Sequence, residues 1–307
     1  MSDTKHCLVL GANGFVGSYI VERLAAQTDV TVRAFDRFSR DPQFIKGDSI
    51  EVFKGDFFSD DDIKRALEGV DMVLHSFSAT NPFVSDKNPY LDITNNLLRS
   101  VQIFDMCIQA GVKKIGFISS GGAVYGSVGE EKIMSEEDSP LPVSPYGINK
   151  LAIEYYLEFF KRKYGTKYVV YRLSNPYGPR QLLKNNQGVI PAFLGKIRNH
   201  EPLTVYGDGT SSRDYIFAPD AANMIATSFM RDNVYSVYNI GRGEQTSLNE
   251  IIDTLRELSH AEVTVNYEET PRTFLQRTGV SIGRYESEYG KQSFTSLQEG
   301  IKKTIEG

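Results

Sequence analysis

Tryptophan is absent from this chain of 307 residues, cysteine occurs only twice and histidine four times. Cys7 and Cys107 cannot build a framework of disulfides, which points to a reducing, cytoplasmic setting. His6, His75, His200 and His260 are scattered, with no metal-ligand spacing among themselves or with the cysteines, so no metal is expected. No run approaches the roughly 18 apolar residues of a membrane span. The apolar run Cys7–Leu10 is broken at once by Gly11 and is too short for the core of a signal peptide. Basic charge is not in excess either: 34 Lys and Arg against 39 Asp and Glu leave a formal charge of −5. Nucleic acid and anionic membrane are therefore not expected as main partners. Internal repeats, low-complexity tracts, a Gly-x-Ser-x-Gly elbow and a Gly-Lys-Ser/Thr phosphate loop are all missing.

What remains is a chain of ordinary composition, 40% hydrophobic and 24% charged, long enough for one large α/β unit or two coupled domains. Short β-rich runs at Cys7–Leu10, Val30–Phe35, Met72–His75, Ile115–Ser119 and Tyr168–Leu173 read as buried parallel strands. Between them lie stretches with helical spacing, such as Val16 to Ala26, and Ser59 followed by Asp60, Asp61 and Asp62 marks a helix start. Alternating strands and helices predict an α/β fold with a doubly wound parallel (Rossmann) sheet. The regular pattern stops near Ser174. Residues 1–173 are thus expected to form the nucleotide-binding domain, and 174–307 a smaller, mainly substrate-binding region. Helices at Tyr215–Arg231 and Leu248–Leu258 suggest that the two interleave within 215–258. The helices predicted at 91–110 and 146–164 are apolar on more than one side. Either they are buried within one chain, or they form a four-helix homodimer interface.

The chemistry begins with Gly11-Ala12-Asn13-Gly14-Phe15-Val16-Gly17, where a strand runs through glycines into a helix. Small residues let backbone approach a pyrophosphate, whose charge then meets the helix N-terminus. Asp36 ends the second strand about 20 residues on, where a carboxylate can accept both ribose hydroxyls of NAD and repel the extra phosphate of NADP. Its neighbour Arg37 works in the opposite sense. Asp56, after the third strand, is either a contact to the adenine edge or a turn aspartate. Tyr146 and Lys150 are spaced to share one helix face. A free phenol has a pKa near ~10, and a fixed ammonium beside it favours the phenolate, making Tyr146 a candidate base.

With Ser119-Ser120-Gly121-Gly122-Ala123-Val124-Tyr125-Gly126, Asn175-Pro176-Tyr177-Gly178-Pro179 and Arg213-Asp214-Tyr215, these motifs span nearly the whole chain. The chain resembles the extended short-chain dehydrogenases/reductases, in particular the NAD-dependent sugar-nucleotide epimerase/dehydratase group. The resemblance implies NAD as cofactor and a nucleotide sugar as substrate, with Tyr146 as catalytic base and acid and Lys150 also holding the nicotinamide ribose. It adds Phe57, Phe77, Ser78, Ala79, Asn96 and Ser119 to the cofactor site. Asn175, Arg213 and Arg272 would grip the substrate diphosphate, and the residue that admits or excludes a 2-acetamido group falls near Thr278. Many members carry Ser or Thr where this chain has Gly121, so Ser120 is the candidate to bridge sugar and Tyr146. The Asp-Glu pair of the 4,6-dehydratases is replaced by Gly122 and Ala123. The resemblance thus points to a sugar-nucleotide epimerase, foremost a 4-epimerase of a UDP-hexose or UDP-N-acetylhexosamine. The rivals are a nucleotide-sugar dehydrogenase or 4-ketoreductase, and a non-catalytic NAD-sensing protein.

Overall fold

The computed structural model of the protein describes residues 4–126, 132–182, 188–270 and 276–307. Six strands of the amino-terminal half are β1 (Lys5–Leu10), β2 (Val30–Asp36), β3 (Ile50–Lys54), β4 (Met72–His75), β5 (Lys114–Ser120) and β6 (Lys167–Leu173). They form a parallel sheet in the order β3-β2-β1-β4-β5-β6, closed on the β6 side by Val237–Ile240 as a seventh strand. Successive residues of β1 supply opposite faces: Cys7 and Val9 join one core cluster, Leu8 and Leu10 the other. A strand buried on both sides must be apolar, as Met72, Val73 and Leu74 of β4 are, whereas β2 alternates between buried Val30, Val32 and Ala34 and half-buried Thr31 and Arg33.

Helices Phe15–Ala25 and Ala218–Phe229 cover the first face, through Ile20, Leu24, Ile225 and Phe229. Asp60–Leu67, Arg99–Gln109 and Pro145–Tyr164 cover the second, through Ile63, Phe104 and Leu157. Each helix starts for a local reason. Ser59 accepts the Asp62 N–H ahead of three acidic residues in the first turn. Ser144 accepts the Gly147 N–H ahead of Pro145, and Gly165 in the left-handed region ends that helix. A third cluster lies apart from the sheet. It gathers Val189–Arg198, Leu248–Ser259 and Leu297–Glu306 around Phe193, Leu194, Ile252, Leu255 and Ile301.

Two predicted helices take other forms. The 91–110 stretch is an α turn at Pro89–Asp92, a π-helix at Ile93–Leu98 and an α-helix at Arg99–Gln109. Tyr215–Arg231 opens as a strand, Tyr215–Phe217, paired in parallel with Asn175–Tyr177 before Pro219 starts the helix. Apolar residues alone did not distinguish that strand from a first helical turn.

Asp214 lies where the sheet meets the second region. Its carboxylate accepts the Ser174 hydroxyl (3.2 Å) and the N–H groups of Arg242 (2.9 Å) and Gly243 (3.0 Å). Burial pushes its pKa up from 3.8 to about 6, against the pull of those hydrogen bonds. A raised carboxyl pKa means the folded state holds a proton that the unfolded chain has released. This group's contribution is therefore largest below about pH 4 and is lost as pH rises through about 6. Compared with Asp214→Asn, the unmodified protein should lose melting temperature as pH is raised across that window. A difference that stays constant across it would refute the assignment.

Candidate active site

All strands of the sheet point their carboxyl ends to one edge, where α/β folds open a crevice. There a cleft of about 930 Å³ runs from Gly11, Asp36 and Arg37 past Tyr146 and Lys150 to Asn175 and Arg213. The glycine turn is closed by contact. Gly11 has φ +87°, and a Cβ on it would sit 3.0 Å from the Phe77 backbone nitrogen; a Cβ on Gly17 would lie 2.0 Å from the Gly11 carbonyl oxygen. Gly14, at the N-cap of Phe15–Ala25, brings no side chain to the helix end, so the first N–H groups face the cleft uncapped. Phe15, Val16 and Gly17 line the cleft beside it. The Asp36 carboxylate is aimed by two backbone donors, Asn13 N–H (3.0 Å) and Arg37 N–H (2.8 Å). These features fit a dinucleotide: a donor-rich, side-chain-free helix end for the pyrophosphate and an oriented carboxylate for the ribose.

The other candidates divide. Phe57 and Phe77 line the cleft as a stacked pair with ring centroids 3.9 Å apart, and Ser78 follows. Asn13 lines the cleft, but its side chain binds the backbone of Arg40, Asp41 and Gln43, shaping the rim beyond Asp36. Asp56 is exposed, is not among the cleft-lining residues and accepts the Phe58 N–H at 3.0 Å, the turn role. Ala79 and Asn96 lie one layer behind, joined by Ala79 N–H donating to Asn96 Oδ1 at 2.7 Å. Arg272 lies outside the described residues.

Ser119 and Ser120 both line the cleft. The Ser119 hydroxyl is committed to Glu154 (2.5 Å), itself paired with Arg172 (2.8 Å) in a buried ion pair. Removing one partner of such a pair typically costs about 3–5 kcal/mol. Arg172 also donates to the Tyr125 hydroxyl, which donates to Asn239, so Tyr125 is a buried strut and does not line the cleft. Asn175 donates to the Asp214 carbonyl at 3.1 Å, and Arg213 donates to the carbonyls of Ser212 and Gln276.

Tyr146 and Lys150 line the middle of the cleft from one helix face. The Lys150 ammonium donates to the Ile118 carbonyl at 2.9 Å and lies 5.7 Å from the Tyr146 ring centroid. The sequence reading expected Lys150 to make the phenol more acidic. Among the protein's own groups the balance runs the other way: burial, then the negative charge of Asp92, hold the phenol well above its usual value, and Ser78 offsets only part. Burial also lowers Lys150 to about 8, against the charges of Asp92 and Glu154.

Residues 7–241 match the NAD dependent epimerase/dehydratase family. The chain belongs to that family. NAD is its cofactor, in keeping with the glycine turn and Asp36. It is 32% identical over 302 residues to a Methanocaldococcus jannaschii protein provisionally named a UDP-glucose 4-epimerase, covering 97% of this chain and 96% of the relative. It is 30% identical to an Escherichia coli dTDP-4-dehydro-6-deoxyglucose reductase over the same shares, 97% and 96%. A Thermus thermophilus UDP-glucose 4-epimerase, solved in complex with NAD, superposes with a TM-score of 0.89 at 30% identity, covering 98% of each chain.

For this NAD-dependent epimerase/dehydratase, the sequence reading missed Asp92, Thr80, Ser85 and Asn149, which together carry the layer behind the cleft. The available signal was spacing: Asp92 and Asn96 stand four apart, and Asn149 directly precedes Lys150. The Gly121 departure has a steric cause. A Cβ there would sit 2.9 Å from Val280 Cγ1 and 3.2 Å from the Arg172 carbonyl oxygen. Gly121, Gly122, Thr278 and Val280 enclose a separate pocket of about 10 Å³, and Thr278 does not line the main cleft. Gly121→Ser should therefore lose about 1–3 kcal/mol of stability by overpacking. Val280→Ala in the Gly121→Ser background should recover part of it, as denaturant melts would show; additive losses would refute the contact.

Proposed function

We propose that the protein is a cytoplasmic NAD-dependent sugar-nucleotide 4-epimerase, acting on a UDP-hexose or a UDP-N-acetylhexosamine as a homodimer. One observation carries the reading. Tyr146 and Lys150 share one helix and line a single cleft together with the glycine turn, Asp36, Asn175 and Arg213. NAD, held by the glycine turn and Asp36, would supply the hydride acceptor and donor for C4 of the sugar. Tyr146 takes the proton of the 4-hydroxyl as C4 becomes a ketone, and returns it when the opposite face of the ring is reduced. Lys150, largely protonated below about pH 8, would offer the positive charge that works against the burial and the Asp92 charge holding the phenol protonated. Ser120, which also lines the cleft, would hydrogen-bond the same sugar oxygen. Asn175 and Arg213 hold the diphosphate while the sugar turns, and an arginine fork suits that anion. The two buried, unpaired cysteines agree with a reducing compartment.

The dimer rests on an apolar face. Leu91, Ile93 and Leu98 on the one segment, and Ile148, Tyr155 and Phe159 on the other, are all exposed, although inward neighbours such as Phe104 and Leu157 are fully buried. Two helical segments apolar on both sides, in contact with each other, match a four-helix association.

The second reading, a 4-ketoreductase, draws support from the E. coli reductase relative. Incubation with UDP-glucose, UDP-galactose and their N-acetyl forms, read by NMR, separates the two. An epimerase interconverts a pair with no net change at the nicotinamide absorbance band, whereas a reductase changes that absorbance in proportion to product. Tyr146→Phe should lower turnover at least about a hundredfold while NAD stays bound. Unchanged behaviour would favour a sensor. Ile148→Glu with Tyr155→Glu should halve the mass seen by sedimentation; a species that is already monomeric before mutation refutes the dimer.

A further inference from the structure

Behind the cleft wall lies a buried carboxylate that no step above uses. Asp92 is fully buried, at the junction of the Pro89–Asp92 turn and the π-helix. Thr80 Oγ1 and Asn96 Nδ2 donate to its Oδ1; Ser85 Oγ (2.8 Å) and Asn149 Nδ2 (2.7 Å) donate to its Oδ2. All four donors are themselves buried. Two connections lead from this knot to the reacting groups. Asn149 precedes Lys150 and lies within one turn of Tyr146 on the same helix. Thr80 is tied back to the cleft, since Ser78, which lines it together with Tyr146, donates to the Thr80 carbonyl at 2.8 Å.

We propose that Asp92 is a positioning residue for the reaction, its carboxylate locking the 78–85 segment and the Tyr146–Lys150 helix into one register and setting the field in which that pair exchanges its proton. The proposal rests on the reading of Tyr146 as the acid and base. A carboxylate filled by four side-chain donors from three separate segments is anionic and rigid, because each donor that is lost would leave a buried charge less compensated. In keeping with this, the four hydrogen bonds outweigh burial and hold Asp92 below the usual carboxylate range. The charged and titratable groups around the pair are few. Lys150 is faced by Asp92 and by Glu154, which Arg172 already neutralises. His75 nearby is kept neutral, lowered to about 3 by burial and by the charge of Lys150. Asp92 is therefore the anion whose charge is not cancelled by a cationic partner of its own among these groups.

The test is Asp92→Asn, assayed with the sugar nucleotide that the unmodified protein turns over. An amide there presents donors to donors, so kcat should fall about ten- to a hundredfold, the scale of a small misplacement, with KM moving less than about threefold because no substrate contact is touched. Loss of the charge lowers the pKa of both Tyr146 and Lys150, so the kcat profile should move to lower pH by about one unit. Ser85→Ala, which removes one donor and keeps the charge, should leave the profile in place. Should Asp92→Asn fail to fold, Thr80→Val and Asn149→Ala decide. Each should lower kcat, and their double variant should lose much less than the product of the two, because both act through Asp92. Turnover and pH profile matching the unmodified protein, a loss with an unmoved profile, or strictly multiplicative single losses would overturn the proposal. If the unmodified protein turns over no sugar nucleotide, the reading of the site fails instead.

Discussion

Taking a carboxylate out of water costs several kcal/mol unless donors replace the water it loses. Among the described residues, Glu154, Asp214 and Asp92 are buried carboxylates around the cleft, and the surrounding architecture satisfies them. Glu154 is answered by Arg172 and Ser119, binding the long helix to the ends of β5 and β6. Asp214 is answered by backbone N–H groups and Ser174, binding the second region to the sheet edge. Asp92 is answered by neutral side chains alone. The different donors leave different properties. The ion-paired Glu154 has its countercharge beside it, Asp214 has its pKa raised by burial, and Asp92 stays an anion with no ion-pair partner among the described residues. Each carboxylate therefore acts both as a structural clamp and as a setting of the local field.

The parallel sheet explains why these clamps converge. Every strand delivers its carboxyl end to the same edge, so the glycine turn, Asp36, the Ser119–Ser120 pair and the start of the second region are brought together without further arrangement. The long helix lies on the second face of the sheet, with Tyr146 and Lys150 on the cleft, Ile153, Leu157 and Phe160 in the core, and Ile148, Tyr155 and Phe159 outward. One helix thus serves chemistry, packing and an outer apolar face, which accounts for its apolar residues being spread over more than one side.

Much of the site was legible in the sequence because its parts are local. A strand–glycine–helix turn needs its glycines within seven residues, Gly11 to Gly17, and a phenol–ammonium pair needs one helical turn. Five strands of the sheet were legible, β1 and β4 as short apolar runs and β2, β5 and β6 by their β-branched and aromatic residues. The seventh, Val237–Ile240, was not, being short and interrupted by Asn239, whose buried amide is satisfied by carbonyls of Met134 and Ser281 far away in sequence. The side chain of Asn13 was read as part of the cofactor loop, yet it binds a segment about thirty residues on, which no spacing rule reveals. Asp56 is suited by sequence to a base contact or a turn, and in the fold it accepts the Phe58 N–H of its own turn.

The amino-acid sequence by itself determined the fold class, the dinucleotide turn and the identity of the phenol–ammonium pair, since each depends on residues within a turn or a strand of one another. Only the tertiary structure decided which way the protein's charges push that phenol, why position 121 holds glycine, and that Asp92 stands behind the cleft. The reason is physical. Burial and Coulomb interactions depend on distances between segments that are remote along the chain, and those distances exist only once the sheet and its helices have closed around them.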